Sequence, residues 1–389
     1  MNPSIPYARQ WINHQDIQAV VRTLASEYLT TGPDVTLFEE SLSQLTGARH
    51  AVVCSNGTAA LHLACLALGI SDQDLGLTTP ISFLASANCV EYCGGKVDFV
   101  DIDPSTLCMD PNKLEEYCLS NPSPQLVIPV DFAGTPADLP AIKSLADRFG
   151  FAVIEDAAHA IGSVYTHGGK NYACGSCTHS DLAIFSFHPA KTVTSGEGGA
   201  ILTNDDELAR RLRTLRNHGM TKTPELSASL GPWYYEMDTL GFNYRITDIQ
   251  CALGISQLKR LEEHKTLRQK IVRIYNRAFE KEDRLILPPE ALEKTACPHL
   301  YPIQLRGGSS VRGQVYHGLA EENIFCQVHY IPIYFQPYYA RKYGYAPGKC
   351  PHAETYYSRC LSLPLFPSLD TGDTHRVVDK LLDLICKSF

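Results

Sequence analysis

Basic residues are in short supply: 34 Lys and Arg stand against 42 Asp and Glu in 389 residues, a formal net charge of −8. The charged content of 20% is itself ordinary for a globular chain. With no basic run and no basic excess, bulk nucleic-acid binding is excluded. No apolar stretch approaches the ~20 residues that a membrane span requires. The first residues lack the charged and apolar regions of a secretory signal, so a cytoplasmic protein is expected. The Gly-x4-Gly-Lys-Ser/Thr phosphate loop is absent, which removes that route to nucleotide binding. Repeats and low-complexity linkers are also missing.

Cysteine, in contrast, is plentiful. Fourteen are scattered through apolar runs, as at Cys54, Cys65, Cys89, Cys251 and Cys386. In a cytosolic chain they read as reduced, small core residues. Cys174-Gly-Ser-Cys177, flanked by His167 and His179, has a spacing that zinc could use. No second pair follows, so the expectation is an ordinary loop and no metal.

An apolar content of 44% is normal for a globular chain of this length, enough for one large domain and a smaller one. An entry arm and a helix occupy residues 1–30, a second helix runs from about Thr36 to Leu45, and strand-like runs then alternate with helical ones. The candidate strands are Ala51–Cys54, Leu75–Thr79, Val97–Val100, Leu126–Val130, Phe151–Glu155, Leu182–Phe187 and Gly199–Thr203. Helical spacing falls near 58–68, 83–93, 111–119, 138–149 and 205–217, in a long helix from about Thr247, and in Thr371–Cys386. The charged run Glu262–Lys270 reads as a solvated helix face. Such alternation predicts an α/β fold with a mainly parallel sheet covered on both faces. A large domain over residues 1–270 and a small α+β domain over 271–389 are expected.

Three stretches carry chemistry. In Phe185-Ser-Phe-His-Pro-Ala-Lys191-Thr-Val-Thr-Ser-Gly-Glu197-Gly-Gly199, one lysine sits between a strand and a Gly-rich turn. An amine held there, its pKa lowered by partial burial, suits condensation with a carbonyl cofactor. A solvated surface lysine is the plainer alternative. In Phe151-Ala-Val-Ile-Glu155-Asp156-Ala-Ala-His159, an apolar strand ends in a carboxylate. Asp156 could hold the ring nitrogen of pyridoxal phosphate protonated, or simply cap the next helix. In Ala51-Val-Val-Cys54-Ser55-Asn56-Gly57-Thr58, a strand meets a helix N-terminus, whose free amides suit a phosphate. A plain strand–turn–helix would look similar.

In this order, the three stretches resemble the fold-type I enzymes that use pyridoxal 5′-phosphate. Joined by Thr79–Ala87, Val130–Asp138, Arg216-Asn-His-Gly219 and Gly241–Gly254, they resemble the DegT/DnrJ/StrS family of nucleotide-sugar aminotransferases over nearly the whole chain. The resemblance implies a seven-stranded, mostly parallel large-domain sheet and a homodimer. Pro6-Tyr7, Val130–Gly134, His299-Leu-Tyr-Pro-Ile303 and Gln327–Tyr334 look like the branch that aminates C4 of UDP-linked 4-keto-6-deoxy-N-acetylhexosamines, with L-glutamate as donor, in pseudaminic acid biosynthesis.

Roles follow from the resemblance. Lys191 is the covalent anchor and proton shuttle, and Asp156 partners the ring nitrogen. Gly57, Thr58 and Ser186 hold the phosphate, Phe83 stacks on the ring, and His159 contacts the ring or its oxygen. Asn243 reaches the phosphate from the neighbouring subunit, so the active site is shared across the dimer. Tyr7, Leu29, Thr30, His329 and Tyr330 form the sugar-side wall. Four rivals stand beside this reading, one of them a zinc-binding interaction module, which would leave the order of Ser55–Thr58, Asp156 and Lys191 unexplained. A sugar 3-dehydratase would carry histidine where Lys191 stands. A relative acting on a dTDP- or GDP-sugar or a cyclitol would share the motifs. A cofactor-binding regulator would not need both Lys191 and Asp156.

Overall fold

The computed structural model describes residues 3–388. All seven candidate strands form, and they join in one sheet. They are β1 (His50–Cys54), β2 (Leu75–Thr78), β3 (Lys96–Phe99), β4 (Leu126–Ile128), β5 (Ala152–Asp156), β8 (Leu182–Ser186) and β9 (Gly199–Thr203). Their order is β1-β9-β8-β5-β4-β2-β3. Strands β3, β2, β4, β5 and β8 run parallel, and β9 lies antiparallel between β8 and β1.

Side-chain alternation divides the sheet between cores. Val52, Cys54, Ile154, Leu182, Ile184 and Ile201 face one core with the helix Gly57–Leu68. Ala51, Val53, Ala183, Phe185, Ala200 and Leu202 face another. Strands buried on both faces need apolar residues at every position, which is why they read as unbroken runs.

Four helices lead the large unit: α1 (His14–Leu24), α2 (Pro33–Thr46), α3 (Gly57–Leu68) and α4 (Ala85–Tyr92). Pro33 begins α2 rather than delaying it to Thr36. The Asp248 carboxylate accepts from the amides of Gly32 and Asp34 at 2.8 and 3.0 Å, capping α2 from a distant helix, and proline is at home in the first turn.

The single long helix expected from Thr247 is two, Asp248–Leu258 and Leu261–Phe279. At the break Arg260 turns inward to buried Asp16, 2.6 Å away, which also accepts from Ser256 and Gln257. Nor is the charged run wholly solvated. His264 and Arg268, one turn apart, are buried, with the His264 ring 2.8 Å from the Thr192 carbonyl. The Leu261–Phe279 helix runs through residue 270. Leu261 packs with the sheet core, while Ile271, Val272, Tyr275 and Phe279 join a C-terminal core. That core includes the strand Tyr301–Leu305, paired with Leu285–Ile286 and Cys360–Leu363.

The segment around Cys174 contains an unpredicted hairpin, β6 (Val164–His167) with β7 (Lys170–Ala173), turning at Gly168-Gly169. Cys174 and Cys177 are both buried free thiols. The ligand-type atoms grouped with Cys174 belong to Asp131 and Glu155, all within 4.8 Å of one another, rather than to Cys177 or His179. Among the described residues no helix is long and apolar enough to cross a membrane.

Phe38 of α2 is fully buried against Phe187, with ring centroids 5.0 Å apart, and fits over Gly254. Phe38→Ala is expected to cost about 3–5 kcal/mol, read as a lowered urea midpoint in equilibrium unfolding.

Candidate active site

The C-terminal ends of β1, β5 and β8 open on one cavity of about 890 Å³. Ten of the thirteen predicted site residues line it: Tyr7, Gly57, Thr58, Phe83, Asp156, His159, Ser186, Lys191, His329 and Tyr330. Leu29, Thr30 and Asn243 do not. All three are exposed; Thr30 bridges to Thr247 and the Asp248 amide donates to the Leu29 carbonyl, while Asn243 bridges to Asn217.

Asp156 ends β5 with its side chain only 4% exposed. Its carboxylate accepts from Ser86 Oγ at 2.6 Å and from the Ala158 amide at 3.2 Å. Burial raises its pKa, and these two donors together with the Lys191 charge oppose the rise. The Lys191 ammonium makes no hydrogen bond or ion pair among the described residues. Desolvation brings it down to about 8, and the Asp156 charge only partly offsets that. A buried carboxylate without a contacting cation, beside an amine that deprotonates easily, is an incomplete charge arrangement.

Asn56 caps α3, its side chain accepting from the Ala59 amide at 2.8 Å. The amides of Gly57 and Thr58 are left without partners among the described residues. Gly57 is required here because a Cβ would lie 2.9 Å from that of Ser186. Helix start and serine hydroxyl together make an anion seat. The cavity therefore offers an anion seat, a carboxylate for a ring cation and a free amine for an aldehyde. A phosphorylated pyridine aldehyde fits all three.

Histidines form the opposite wall. The Ala133 amide donates to His159 Nδ1 at 3.3 Å, which places the ring proton on Nε2, 3.3 Å from the Tyr330 hydroxyl. His299 packs beside it with its ring tilted at a centroid distance of 4.4 Å, and its Nδ1 is buried without a hydrogen-bond partner among the described residues. His329 Nδ1 lies 2.9 Å from Ser362 Oγ, and the His329–Tyr330 peptide is cis. Burial, reinforced by the Lys191 charge, pushes all three imidazoles down, His329 to about 3. They meet a ligand as neutral rings. Lys191 is the one Lys or Arg among the described lining residues.

Ser86, His299, Gln327 and Tyr244 belong to this wall or support it, and sequence reasoning assigned them no role. Ser86 and His299 lay inside motifs already noted, so the signal existed without a geometry to read it.

A family model described as the DegT/DnrJ/EryC1/StrS aminotransferase family matches residues 10–382. The chain is 38% identical over 388 residues to the spore coat polysaccharide biosynthesis protein SpsC of Bacillus subtilis, covering 99% of this chain and 98% of that one. It is 37% identical to the UDP-4-amino-4,6-dideoxy-N-acetyl-beta-L-altrosamine transaminase of Campylobacter jejuni, covering 98% of each. Among solved structures it resembles Helicobacter pylori PseC, an aminotransferase involved in the biosynthesis of pseudoaminic acid. That match has a TM-score of 0.91 and 30% identity, over 100% of both chains.

The cofactor-free protein should form a borohydride-reducible adduct with pyridoxal phosphate. Its rate should rise with pH about a midpoint near 8, because only the deprotonated Lys191 amine attacks. Lys191→Ala should lose the adduct, and a full yield on another lysine would reassign the anchor. Asp156→Asn should retain the cofactor-free protein's melting temperature, since it removes an uncompensated buried charge, while weakening cofactor retention at least about tenfold by equilibrium dialysis.

Proposed function

We propose that this chain, which belongs to the DegT/DnrJ/EryC1/StrS aminotransferase family, aminates C4 of a UDP-linked 4-keto-6-deoxy-N-acetylhexosamine with L-glutamate as donor, on the route to pseudaminic acid. Pyridoxal phosphate is the cofactor, and when bound it supplies an electron sink for the carbanion at the amino-bearing carbon. The carrying observation is the cavity in which Lys191 and Asp156 face one space beside the α3 anion seat. Similarity to the altrosamine transaminase and to PseC supports the sugar.

The chain's own residues divide the work. Asp156 holds a proton at the ring nitrogen through its charge. The Lys191 amine, once free, takes a proton from the donor's α-carbon and later returns one to sugar C4. General acid–base transfer of this kind contributes roughly 10²–10⁴-fold. Phe83, 58% exposed in the single chain, offers its face to a ring. The same lysine serves both half-reactions, so a ping-pong pattern follows. Tyr7, His329 and Tyr330 would face the sugar. The similarity to SpsC favours keeping a second reading, in which the family chemistry is the same and the keto-sugar differs.

A second copy completes the site in this proposal. Ile17, Val21 and Leu24 form an exposed stripe on α1, continued by Tyr28 and Leu29. Trp233, Tyr235, Met237 and Leu240 are also exposed. Exposed apolar side chains grouped along one helix suit a protein contact surface. Asn243, Leu29 and Thr30 would face the partner's cavity from it, and the working location would be the cytoplasm.

The test is the visible spectrum of holoenzyme. The cofactor band should bleach with glutamate and return with UDP-4-keto-6-deoxy-N-acetyl-L-hexosamine. Bleaching without return would keep the aminotransferase and reject the sugar. Asn243→Ala should weaken cofactor retention in a dimer of unchanged mass. A fully active wild-type monomer would refute the shared site.

A further inference from the structure

The Lys191 ammonium has no hydrogen-bond or ion-pair partner among the described residues, so the backbone that carries it sets its aim. Beyond the lysine that backbone is well tied. Thr194 Oγ1 and the Ser195 amide both donate to the Phe187 carbonyl at 3.0 Å, and Gln250 Nε2 donates to the Glu197 carbonyl at 2.8 Å. Before it, the Lys191 and Ala190 amides bond only to nearby His188, at 2.9 and 3.2 Å. Between these two regions the Thr192 carbonyl, one residue past the lysine, accepts from His264 Nδ1 at 2.8 Å. Among the described residues no other backbone group of residues 189–193 is hydrogen-bonded from outside 188–193.

The His264 imidazole is itself held. It is buried, and a carbonyl can only accept, so the ring proton sits on Nδ1. Trp11 packs against the ring at a centroid distance of 5.3 Å. Arg260 in turn fixes Trp11, lying 4.8 Å over the indole and donating to the Trp11 carbonyl at 2.9 Å while it pairs with Asp16. Lys265 and Gln269, in the same two turns of the helix Leu261–Phe279, donate to the carbonyls of Gly162 and Ala296 at 2.9 and 3.1 Å. Burial lowers the His264 pKa against the Thr192 bond, and the charges of Arg260 and Arg268 reinforce the fall. The ring therefore stays neutral, with a single N–H aimed at one carbonyl.

An apolar side chain of similar volume would satisfy the packing alone. It would leave the Thr192 carbonyl unpaired on a residue that is only 4% exposed. We propose that His264 is a positioning residue for Lys191: through the Thr192 carbonyl it fixes the turn from which the amine faces the cavity. The proposal rests on the reading of Lys191 as the cofactor's anchor. A displacement of about 1 Å at such a group can cost about 10²-fold in rate.

Two substitutions separate the hydrogen bond from the packing. His264→Phe keeps a ring against Trp11 and removes the donor, whereas His264→Asn drops the ring and keeps an N–H where Nδ1 stands. Given pyridoxal phosphate, cofactor-free His264→Phe should form the borohydride-reducible adduct at least about tenfold more slowly than wild type. His264→Asn should form it at close to the wild-type rate. In holoenzyme, His264→Phe should lower kcat with the KM for glutamate little changed. Melting temperatures should run the other way, with His264→Asn the less stable of the two. Should phenylalanine disturb folding, His264→Leu removes the same donor and carries the same expectation. A wild-type adduct rate in the variant without the donor, or an equal slowing in His264→Asn, would overturn the proposal and leave Lys191 as the anchor. An adduct retained at full yield in Lys191→Ala would overturn the anchor and the positioning role together.

Discussion

A carboxylate buried without a cation governs this structure. Asp156 ends the central parallel strand at 4% exposure, held among the described residues by a serine hydroxyl and a backbone amide. Desolvating such a charge is expensive unless something positive completes the site. The same burial strips solvent from Lys191, so the carboxylate that awaits a cation and the amine that gives up a proton share one cause. Neighbouring groups follow: the three histidines are kept neutral and so add no competing charge.

Sheet topology brings the parts together. Parallel strands deliver their C-terminal ends to one edge, which is where β1, β5 and β8 place Asn56, Asp156 and Ser186. The antiparallel β9 then returns the Gly-rich turn after Lys191 to that edge. Gly199 passes so close to α3 that a Cβ would lie 2.4 Å from the Asn56 carbonyl oxygen. Cofactor seat and lysine turn are therefore one packed unit rather than two adjacent loops.

Much of this was legible because the parallel strands announce themselves. Buried on both faces, they are apolar throughout and flanked by turn residues, so all seven strands could be placed within a residue or two. The β6–β7 hairpin escaped because its strands are polar and half exposed. Yet Gly168-Gly169, both with positive φ, was the turn signal that should have exposed it. The break at Arg260 depends on Asp16, and the burial of Arg268 on carbonyls far along the chain. No local pattern encodes those contacts. The same holds at the site. Ten predicted residues meet in the cavity because motifs mark strand ends, while Ser86 and His299 acquire meaning only when distant segments meet.

Arg268 lends this arrangement a dimension in time. Its guanidinium, buried with no carboxylate in contact among the described residues, donates to the carbonyls of Pro298, His299 and Leu365. Nearby, Ser362 lies 2.9 Å from His329 Nδ1. The histidine wall is thus fastened by residues that follow the sheet, the anion seat and Asp156 in the chain. During synthesis those parts emerge first, and the wall that faces them can close only after them.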